Sequence, residues 1–308
     1  MSHLPKPLKS NSKIALICPG GGFDDYKPIM LVVKYLKNRG FKIKLGKSLC
    51  NSKSLYKYLS GSDSNRLSDL TNNWCDDSID AIFCLRGGYG SLRLLDKIDF
   101  NKMKKSKKII VGFSDITALL LFVYKKLNLV TFHGPMLGID FLNQNLTVKN
   151  KNSEKNLWKM LFNPGFEFSY SNIAYAKTIC PGKARGVLLG GNLTTICSMI
   201  GTGFLPDFSN SILFIEDTNE EPYKIDRFLT QIDNSHVLGK VNGVLFSGFK
   251  NCDVKNFNSL ICLLKEKVSK YRIPVLFNFP IGHGVANYIV PIGMNVTLDA
   301  DNKKLYSS

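Results

Sequence analysis

Residues 108–117, KIIVGFSDIT, mark the place where a predicted strand turns into a predicted helix. The stretch begins with a short apolar run rich in β-branched residues, which favours a strand. After Gly112, apolar side chains recur with the spacing of one helix face, at Ile116, Leu119, Leu120 and Val123. Ser114 is therefore predicted to lie at a strand-to-helix corner.

Two roles for Ser114 are compatible with that position. A serine at the tip of a tight turn can be a nucleophile, with backbone N–H groups at the helix start available to an oxyanion. Serine is also one of the preferred helix N-cap residues, and the cap alone would account for it. The local sequence leaves both roles open.

Strand patterns alternate with helix patterns through the first 140 residues, which predicts an α/β fold with a mainly parallel sheet and helices on both faces. Ligands bind such sheets beyond the carboxyl ends of the strands. The segments predicted to lie at those ends are glycine-rich or carry polar side chains: the turn at 19–22, the loop at 86–91, Ser114 and His133. The turn at 19–22 lacks the glycine order of a dinucleotide-binding loop, so a turn that lines an unrelated cleft is the better interpretation.

Composition limits the class of protein. The hydrophobic fraction of 44% indicates a globular core, and no apolar run reaches the roughly 18 residues that a membrane span needs. The polar start of the chain does not resemble a signal peptide, so we expect a cytoplasmic protein.

The net charge of +17 comes mainly from scattered lysines without a nucleic-acid-binding motif, which favours a solvated surface over a nucleic-acid partner. The eight cysteines and four histidines lack metal-site spacings, so neither a metal nor a cofactor is expected.

The composition shifts to Asn, Lys and Ser between residues 142 and 183. We interpret this segment as the connection between two domains. The predicted N-terminal α/β domain then covers residues 1–141. A smaller C-terminal α/β domain covers residues 184–308, and its tail is predicted to form a closing β-hairpin or meander.

A nucleophilic serine needs a base, and the base needs an acceptor that orients it. His283 lies in a glycine-flanked loop after an apolar strand, which would give its ring access to a cleft. His133 is a second possibility at a strand end, although a histidine in the cleft wall would look the same. Glu216 is the first charge after an apolar run and is well placed to orient a histidine. It could equally be a polar loop residue ahead of a helix.

Several segments together resemble one family, the LD-carboxypeptidases, a serine peptidase group that includes the muramoyl-tetrapeptide carboxypeptidases and the microcin C7 self-immunity proteins. They occur in the family's order and cover nearly the whole chain. The matching segments are Leu85–Ser91, Gly112–Thr117, His133–Met136, Leu189–Leu193, Phe214–Asp217 with Pro222–Arg227, and Gly282–His283 with Asn287, Pro291 and Gly293.

The resemblance implies a Rossmann-like or flavodoxin-like N-terminal domain that carries the serine and a smaller domain that carries the other catalytic residues. By motif position, Ser114 is similar to the nucleophile, Glu216 to the residue that orients the histidine, and His283 to the general base and acid. The implied oxyanion donors are the backbone N–H of Asp115 and one from the Gly87–Gly88 loop. The corner lacks the second glycine of the G-x-S-x-G elbow, so an α/β-hydrolase fold is not implied.

The activity implied by the resemblance is a serine LD-carboxypeptidase that releases terminal D-alanine from murein tetrapeptides in peptidoglycan recycling. The family also suggests a homodimer. Arg86 or backbone N–H groups of the glycine loop are candidates for binding the substrate's free carboxylate, and a structural role for Arg86 is the alternative. Two other functions remain open: hydrolysis of a peptidyl-nucleotide antibiotic, and non-catalytic binding of a nucleotide or muropeptide.

Overall fold

The first sheet is formed mainly by strands from the N-terminal part of the chain. The computed structural model describes residues 2–51, 54–138, 150–165, 167–252, 257–284 and 286–307. Five parallel strands lie in the order β2-β1-β3-β4-β5, which is the flavodoxin-like order of a doubly wound sheet. The predicted α/β class with a mainly parallel sheet is therefore confirmed. The strands are β1 (Lys13–Ile17), β2 (Lys42–Leu45), β3 (Ala81–Cys84), β4 (Ile109–Gly112) and β5 (Thr131–His133).

Four α-helices alternate with these strands: α1 (Lys27–Asn38), α2 (Asp63–Cys75), α3 (Phe100–Met103) and α4 (Thr117–Leu127). A short 3₁₀ helix occupies Leu92–Lys97, where the sequence predicts a helix-like segment. Every residue of α4 from Thr117 to Val123 is buried, because this helix packs against strands of both halves of the molecule. A helix that is apolar around most of its circumference needs such burial.

The second sheet has eight strands in the order β6-β14-β13-β8-β9-β10-β11-β7. Its centre, β8 to β11, is parallel, and the outer strands pair antiparallel. The hairpin predicted for the tail is present as β13 and β14. The remaining elements are α5 (Lys151–Phe162), β6 (Ser169–Tyr170), β7 (Lys177–Cys180), β8 (Lys183–Asn192), α6 (Leu193–Met199), β9 (Ser211–Thr218), α7 (Pro222–Asn234), β10 (Gly243–Lys250), α8 (Phe257–Ser269), β11 (Val275–Phe277), β12 (Val290–Ile292), β13 (Asn295–Asp299) and β14 (Lys304–Ser307).

One strand from the C-terminal part crosses to the first sheet. β12 pairs antiparallel with β5, with Val290 opposite His133 and Ile292 opposite Thr131. The predicted boundary at residue 142 falls outside the described residues, and the rest of the predicted connection holds α5, β6 and β7. The division into domains at 142–183 therefore stays a prediction. No helix in the described part of the chain is both long and apolar enough to cross a membrane.

Candidate active site

Ser114 has a left-handed backbone conformation, with φ at +60°. β4 ends two residues earlier, a single 3₁₀ turn covers Ser114–Ile116, and α4 begins at Thr117. Within the described chain, no side chain caps the start of α4, so the helix-cap role is not the reason for this serine. A left-handed non-glycine residue is uncommon and costs on the order of 1–3 kcal/mol. Such a corner holds the hydroxyl at the tip of a tight turn, as a nucleophile requires.

The glycine loop packs directly against this corner. A Cβ atom placed on Gly87 would lie 2.9 Å from Ser114 Cβ and 3.3 Å from the backbone nitrogen of Asp115. Gly88 follows with φ at +73°. Both suggested sources of oxyanion donors, the Asp115 N–H and the Gly87–Gly88 loop, thus lie beside the serine. Their role in binding an oxyanion stays a prediction.

The carboxylate of Asp115 ties the glycine loop to the corner. It accepts hydrogen bonds from the backbone N–H groups of Gly90 at 3.2 Å and Ser91 at 2.9 Å. Burial raises the pKa of Asp115, and these N–H donors offset part of the rise. Arg66, whose side chain is fully buried, donates to the carbonyl oxygens of Gly90 and Pro19. Arg66 carries no signal of this role in the sequence, because it lies on a helix whose sequence is mostly polar.

Glu216 and His283 are in direct contact. Glu216 lies on β9 and is fully buried, and its Oε2 is 2.5 Å from His283 Nδ1. The same oxygen accepts the backbone N–H of His283 at 2.9 Å. Burial by itself would raise the pKa of Glu216, but the His283 imidazole outweighs it, with a smaller effect of His133, and holds that pKa below its usual value. A carboxylate charged in this way can orient a histidine and stabilise its protonated form.

Gly282 permits this contact. It has φ at +79°, and a Cβ atom there would lie 2.4 Å from Glu216 Cγ. Its N–H donates to Asn287 Oδ1 at 2.9 Å, which fixes the loop that carries His283. A glycine is therefore required for both the backbone conformation and the close approach.

The His283 ring also contacts the residue that precedes the serine. Its centroid is 4.8 Å from that of Phe113. Ser114 lines an open cavity of about 310 Å³ whose lining residues come from both halves of the chain. His283 lines a second cavity of about 410 Å³, whose other lining residues include Phe279 and Ile281. The structure thus brings Glu216 and His283 together and places them next to the serine corner.

Residues of the second half complete the serine cavity. Asn192 donates from Nδ2 to Asp217 Oδ1 at 2.9 Å, and its backbone N–H donates to Thr117 Oγ1 at 3.0 Å. Burial, and then the neighbouring Glu216, raise the pKa of Asp217. Neither Asn192 nor Asp217 is among the site residues predicted from the sequence, although Asn192 follows a glycine pair in a family-like segment. The cavity is lined by Gly88, Tyr89, Leu92, Ser114, Asp115, Asn192, Thr194, Thr195, Ser198, Asp217, Thr218 and Glu220.

His133 and Arg86 are placed differently. His133 is fully buried, with its ring edge-on to Phe214 and Phe113 at centroid distances of 5.0 and 5.9 Å. Burial lowers its pKa to about 4, so it is neutral near pH 7. Arg86 donates to the carbonyl oxygen of Gly22, with its guanidinium carbon 5.9 Å from the Phe23 ring centroid. These contacts favour the structural alternative for Arg86, and carboxylate binding by it stays a prediction.

Known proteins with similar sequences cover almost the whole chain. It is 36% identical over 307 residues to a probable murein peptide carboxypeptidase of Bacillus subtilis (strain 168), covering 98% of this chain and 93% of the relative. It is 29% identical over 298 residues to a murein tetrapeptide carboxypeptidase of Pseudomonas aeruginosa, covering 94% of each.

Solved structures with the same fold include a muramoyltetrapeptide carboxypeptidase from Oxalobacter formigenes, with a TM-score of 0.79, 31% identity and coverage of 96% of this chain and 97% of that one. A microcin C7 self-immunity protein in complex with adenosine monophosphate has a TM-score of 0.90 at 25% identity, covering 99% and 98%. Family models of the LD-carboxypeptidase N-terminal and C-terminal domains match residues 14–134 and 185–298. The chain therefore belongs to the LD-carboxypeptidase family.

Proposed function

We propose that this protein is a serine LD-carboxypeptidase that releases the terminal D-alanine from murein tetrapeptides during peptidoglycan recycling. The contact of His283 Nδ1 with Glu216 Oε2 at 2.5 Å, beside the left-handed corner at Ser114, carries this proposal. It supplies an oriented base next to a serine held at the tip of a turn. The names of the Bacillus and Pseudomonas relatives support the choice of a murein peptide.

In the proposed mechanism, Ser114 Oγ attacks the carbonyl carbon that joins the L-centre of the diamino acid to D-alanine. His283 takes the hydroxyl proton on Nε2 while Nδ1–H stays bonded to Glu216, whose negative charge stabilises the imidazolium. The proton then passes to the nitrogen of the leaving D-alanine as the C–N bond breaks. Water, deprotonated by the same imidazole, hydrolyses the serine ester and restores the free hydroxyl.

The oxyanion of the tetrahedral intermediate would be stabilised by backbone N–H groups. The N–H of Asp115 follows the nucleophile at the start of the 3₁₀ turn, and the Gly87–Gly88 loop lies against it. Removing one such donor typically costs on the order of 3 kcal/mol of transition-state stabilisation. The carboxylate of Asp115 supports this arrangement indirectly because it holds the glycine loop in place.

The test is release of D-alanine from purified tetrapeptide by wild-type protein and by Ser114→Ala. We expect the variant to lose at least about 10⁴-fold in kcat, as nucleophile removal does in other serine hydrolases. Ser198→Ala is the matched control, since Ser198 lines the same cavity but its hydroxyl donates to Thr194 O at 2.9 Å. Undiminished release by Ser114→Ala would exclude the mechanism, and a wild-type protein that releases no D-alanine would exclude the substrate.

A second candidate is hydrolysis of a peptidyl-nucleotide antibiotic. The observation in its favour is the TM-score, which is 0.90 for the microcin C7 self-immunity protein and 0.79 for the muramoyltetrapeptide carboxypeptidase. Sequence identity favours the muramoyltetrapeptide carboxypeptidase, which is 31% identical to this chain, over the self-immunity protein, which is 25% identical. The ratio of kcat/KM on a peptidyl-nucleotide to that on tetrapeptide decides between them, and we expect tetrapeptide to be preferred.

The proposed setting is the cytoplasm, where peptides recovered from the wall are processed, and the proposed assembly is a homodimer. The homodimer is what the family resemblance implies. Light scattering on the purified protein measures the oligomeric state directly, and a monomer at micromolar concentration would contradict the proposed homodimer.

A further inference from the structure

Three tyrosines beside the serine cavity form a continuous exposed aromatic surface, here termed the tyrosine platform: Tyr56, Tyr58 and Tyr89. The rings of Tyr56 and Tyr58 are stacked at a centroid distance of 5.6 Å, and that of Tyr58 is 6.0 Å from that of Tyr89. The three residues are 47, 54 and 49% exposed. A single exposed aromatic residue needs no explanation, but a contiguous set often marks a binding surface.

The segment that carries Tyr56 and Tyr58 is held in place by backbone hydrogen bonds and by a buried leucine. The backbone N–H of Leu59 closes a turn on Tyr56 O at 2.8 Å, and that of Ser60 donates to Gly20 O at 3.0 Å. The Leu59 side chain is buried, and a Cβ atom placed on Gly90 would lie 2.6 Å from it. The two tyrosine segments therefore interlock at their bases.

The loop that carries Tyr89 is equally constrained. Gly90, the next residue, donates its N–H to Asp115, and its carbonyl oxygen accepts a hydrogen bond from Arg66 at 2.9 Å. Neither segment has to be ordered at the moment of binding, so the entropic cost of using the platform is small. An exposed aromatic surface that is already ordered is suited to ligand binding.

The platform continues into the candidate active site, because Tyr89 lines the cavity that holds Ser114. That cavity, at about 310 Å³, is at the lower end of the range that holds a drug-sized ligand. A tetrapeptide with an attached glycan is larger than this. With the scissile bond at Ser114, the far end of such a substrate must leave the cavity, and Tyr89 forms one of its walls.

We propose that the tyrosine platform binds a pyranose sugar attached to the N-terminal end of the peptide substrate, so that glycan-linked murein tetrapeptide is preferred to free tetrapeptide. This inference rests on the proposed function. A pyranose has a face of C–H groups that packs on an aromatic ring and a rim of hydroxyls that needs polar partners. Tyrosine offers both an apolar body and a hydroxyl. Arg93, whose Nε donates to Asp63 and whose guanidinium carbon is 6.0 Å from the Tyr56 ring centroid, places a polar charged group at the edge of the platform.

The experiment measures binding by calorimetry, in a Ser114→Ala background that cannot turn over. The probes are free tetrapeptide and the same tetrapeptide linked to its disaccharide. We expect the linked form to bind about tenfold more tightly, which corresponds to about 1.4 kcal/mol. Adding Tyr58→Ala should remove that difference and change the affinity for free tetrapeptide less than about twofold.

Two control variants distinguish the loss of the aromatic face at Tyr58 from a general effect of changing an exposed tyrosine. Tyr58→Phe keeps the stacking face and should retain most of the preference. Tyr223→Ala removes another exposed tyrosine that also has an arginine near its ring, Arg227 at 5.9 Å, but does not line the serine cavity. It should leave both affinities unchanged.

Equal affinities for the two probes, or a preference that survives Tyr58→Ala, would overturn the assignment. So would adenosine monophosphate binding that Tyr58→Ala abolishes while the glycan preference persists, because the platform would then bind a base. The proposed function is tested separately by D-alanine release from free tetrapeptide by the wild-type protein. That activity is expected whether or not the platform binds a sugar.

Discussion

Replacing His133 should remove a defined part of the acid sensitivity of this fold. The imidazole is fully buried between Phe113 and Phe214, and within the described residues neither ring nitrogen has a hydrogen-bond partner. Burial lowers its pKa from 6.5 to about 4; the nearby Glu216 opposes the shift and His283 adds to it. The folded protein therefore resists protonation of this residue.

The direction of the pH effect on stability follows from the linkage between protonation and folding. Well above pH 6.5, His133 is neutral in both the folded and the unfolded state and contributes no pH dependence. As the pH falls from 6.5 to about 4, the unfolded chain gains a proton that the folded chain does not, so stability is lost across that window. At 1.36 kcal/mol for each pKa unit, the loss reaches about 3 kcal/mol near pH 4.

The assay is urea unfolding of wild-type protein, His133→Phe and His133→Gln between about pH 7.5 and pH 4. Either variant can shift in absolute stability through packing, but its stability relative to wild type should rise by about 3 kcal/mol over the window. His236→Asn is the control, since it removes an exposed histidine at a left-handed position that asparagine tolerates. Parallel curves for wild type and both His133 variants would refute the reasoning.

Three further predictions concern the site. Glu216→Gln should lower kcat by about 10⁴-fold without unfolding the protein, because the neutral amide cannot stabilise the His283 imidazolium; activity within tenfold of wild type would contradict this. Gly282→Ala should destabilise by about 2–3 kcal/mol in thermal unfolding and lose most activity, since its Cβ would lie 2.4 Å from Glu216 Cγ. Gly201→Ala, also at positive φ but with open space around its Cβ, should show the backbone cost alone. Arg66→Met should lower the urea midpoint and slow D-alanine release, because it removes the buried donor to Pro19 and Gly90; an unchanged midpoint would refute the role of Arg66.

Much of the fold was accessible from local patterns. Apolar periodicity depends on neighbours along the chain, and it predicts a strand at Val275–Phe277 and a helix at Leu193–Met199, which are the bounds of β11 and α6 in the structure. The helix-like segment after the glycine loop is a 3₁₀ helix instead, a difference of hydrogen-bond register that periodicity over six residues does not resolve. The transfer of β12 to the first sheet had no local signal, since pairing with β5 joins residues far apart in the sequence.

The candidate site, like the fold, has some features that the sequence predicts and others that depend on tertiary packing. The order of the family-like segments identified Ser114, Glu216 and His283 as candidates, and the glycines around them were visible as glycines. The physical reason for them was not, because both the positive φ of Gly282 and the approach of Glu216 Cγ to 2.4 Å from a Cβ placed there are set by the tertiary structure. Arg66 illustrates the opposite case, as its sequence context resembles a solvated helix and only the packing of two loops over it makes it a buried donor.

Local periodicity and segment order suffice to predict the α/β class, the strand-to-helix corner at Ser114 and the residues of the candidate triad. Three features are visible only in the folded chain. Glu216 and His283, 67 residues apart, meet at 2.5 Å, Ser114 has a left-handed backbone, and tyrosines from two loops form one platform. These are products of strand pairing and loop packing between distant segments. The backbone conformation and side-chain contacts that turn the predicted residues into a site therefore arise only once both sheets have formed.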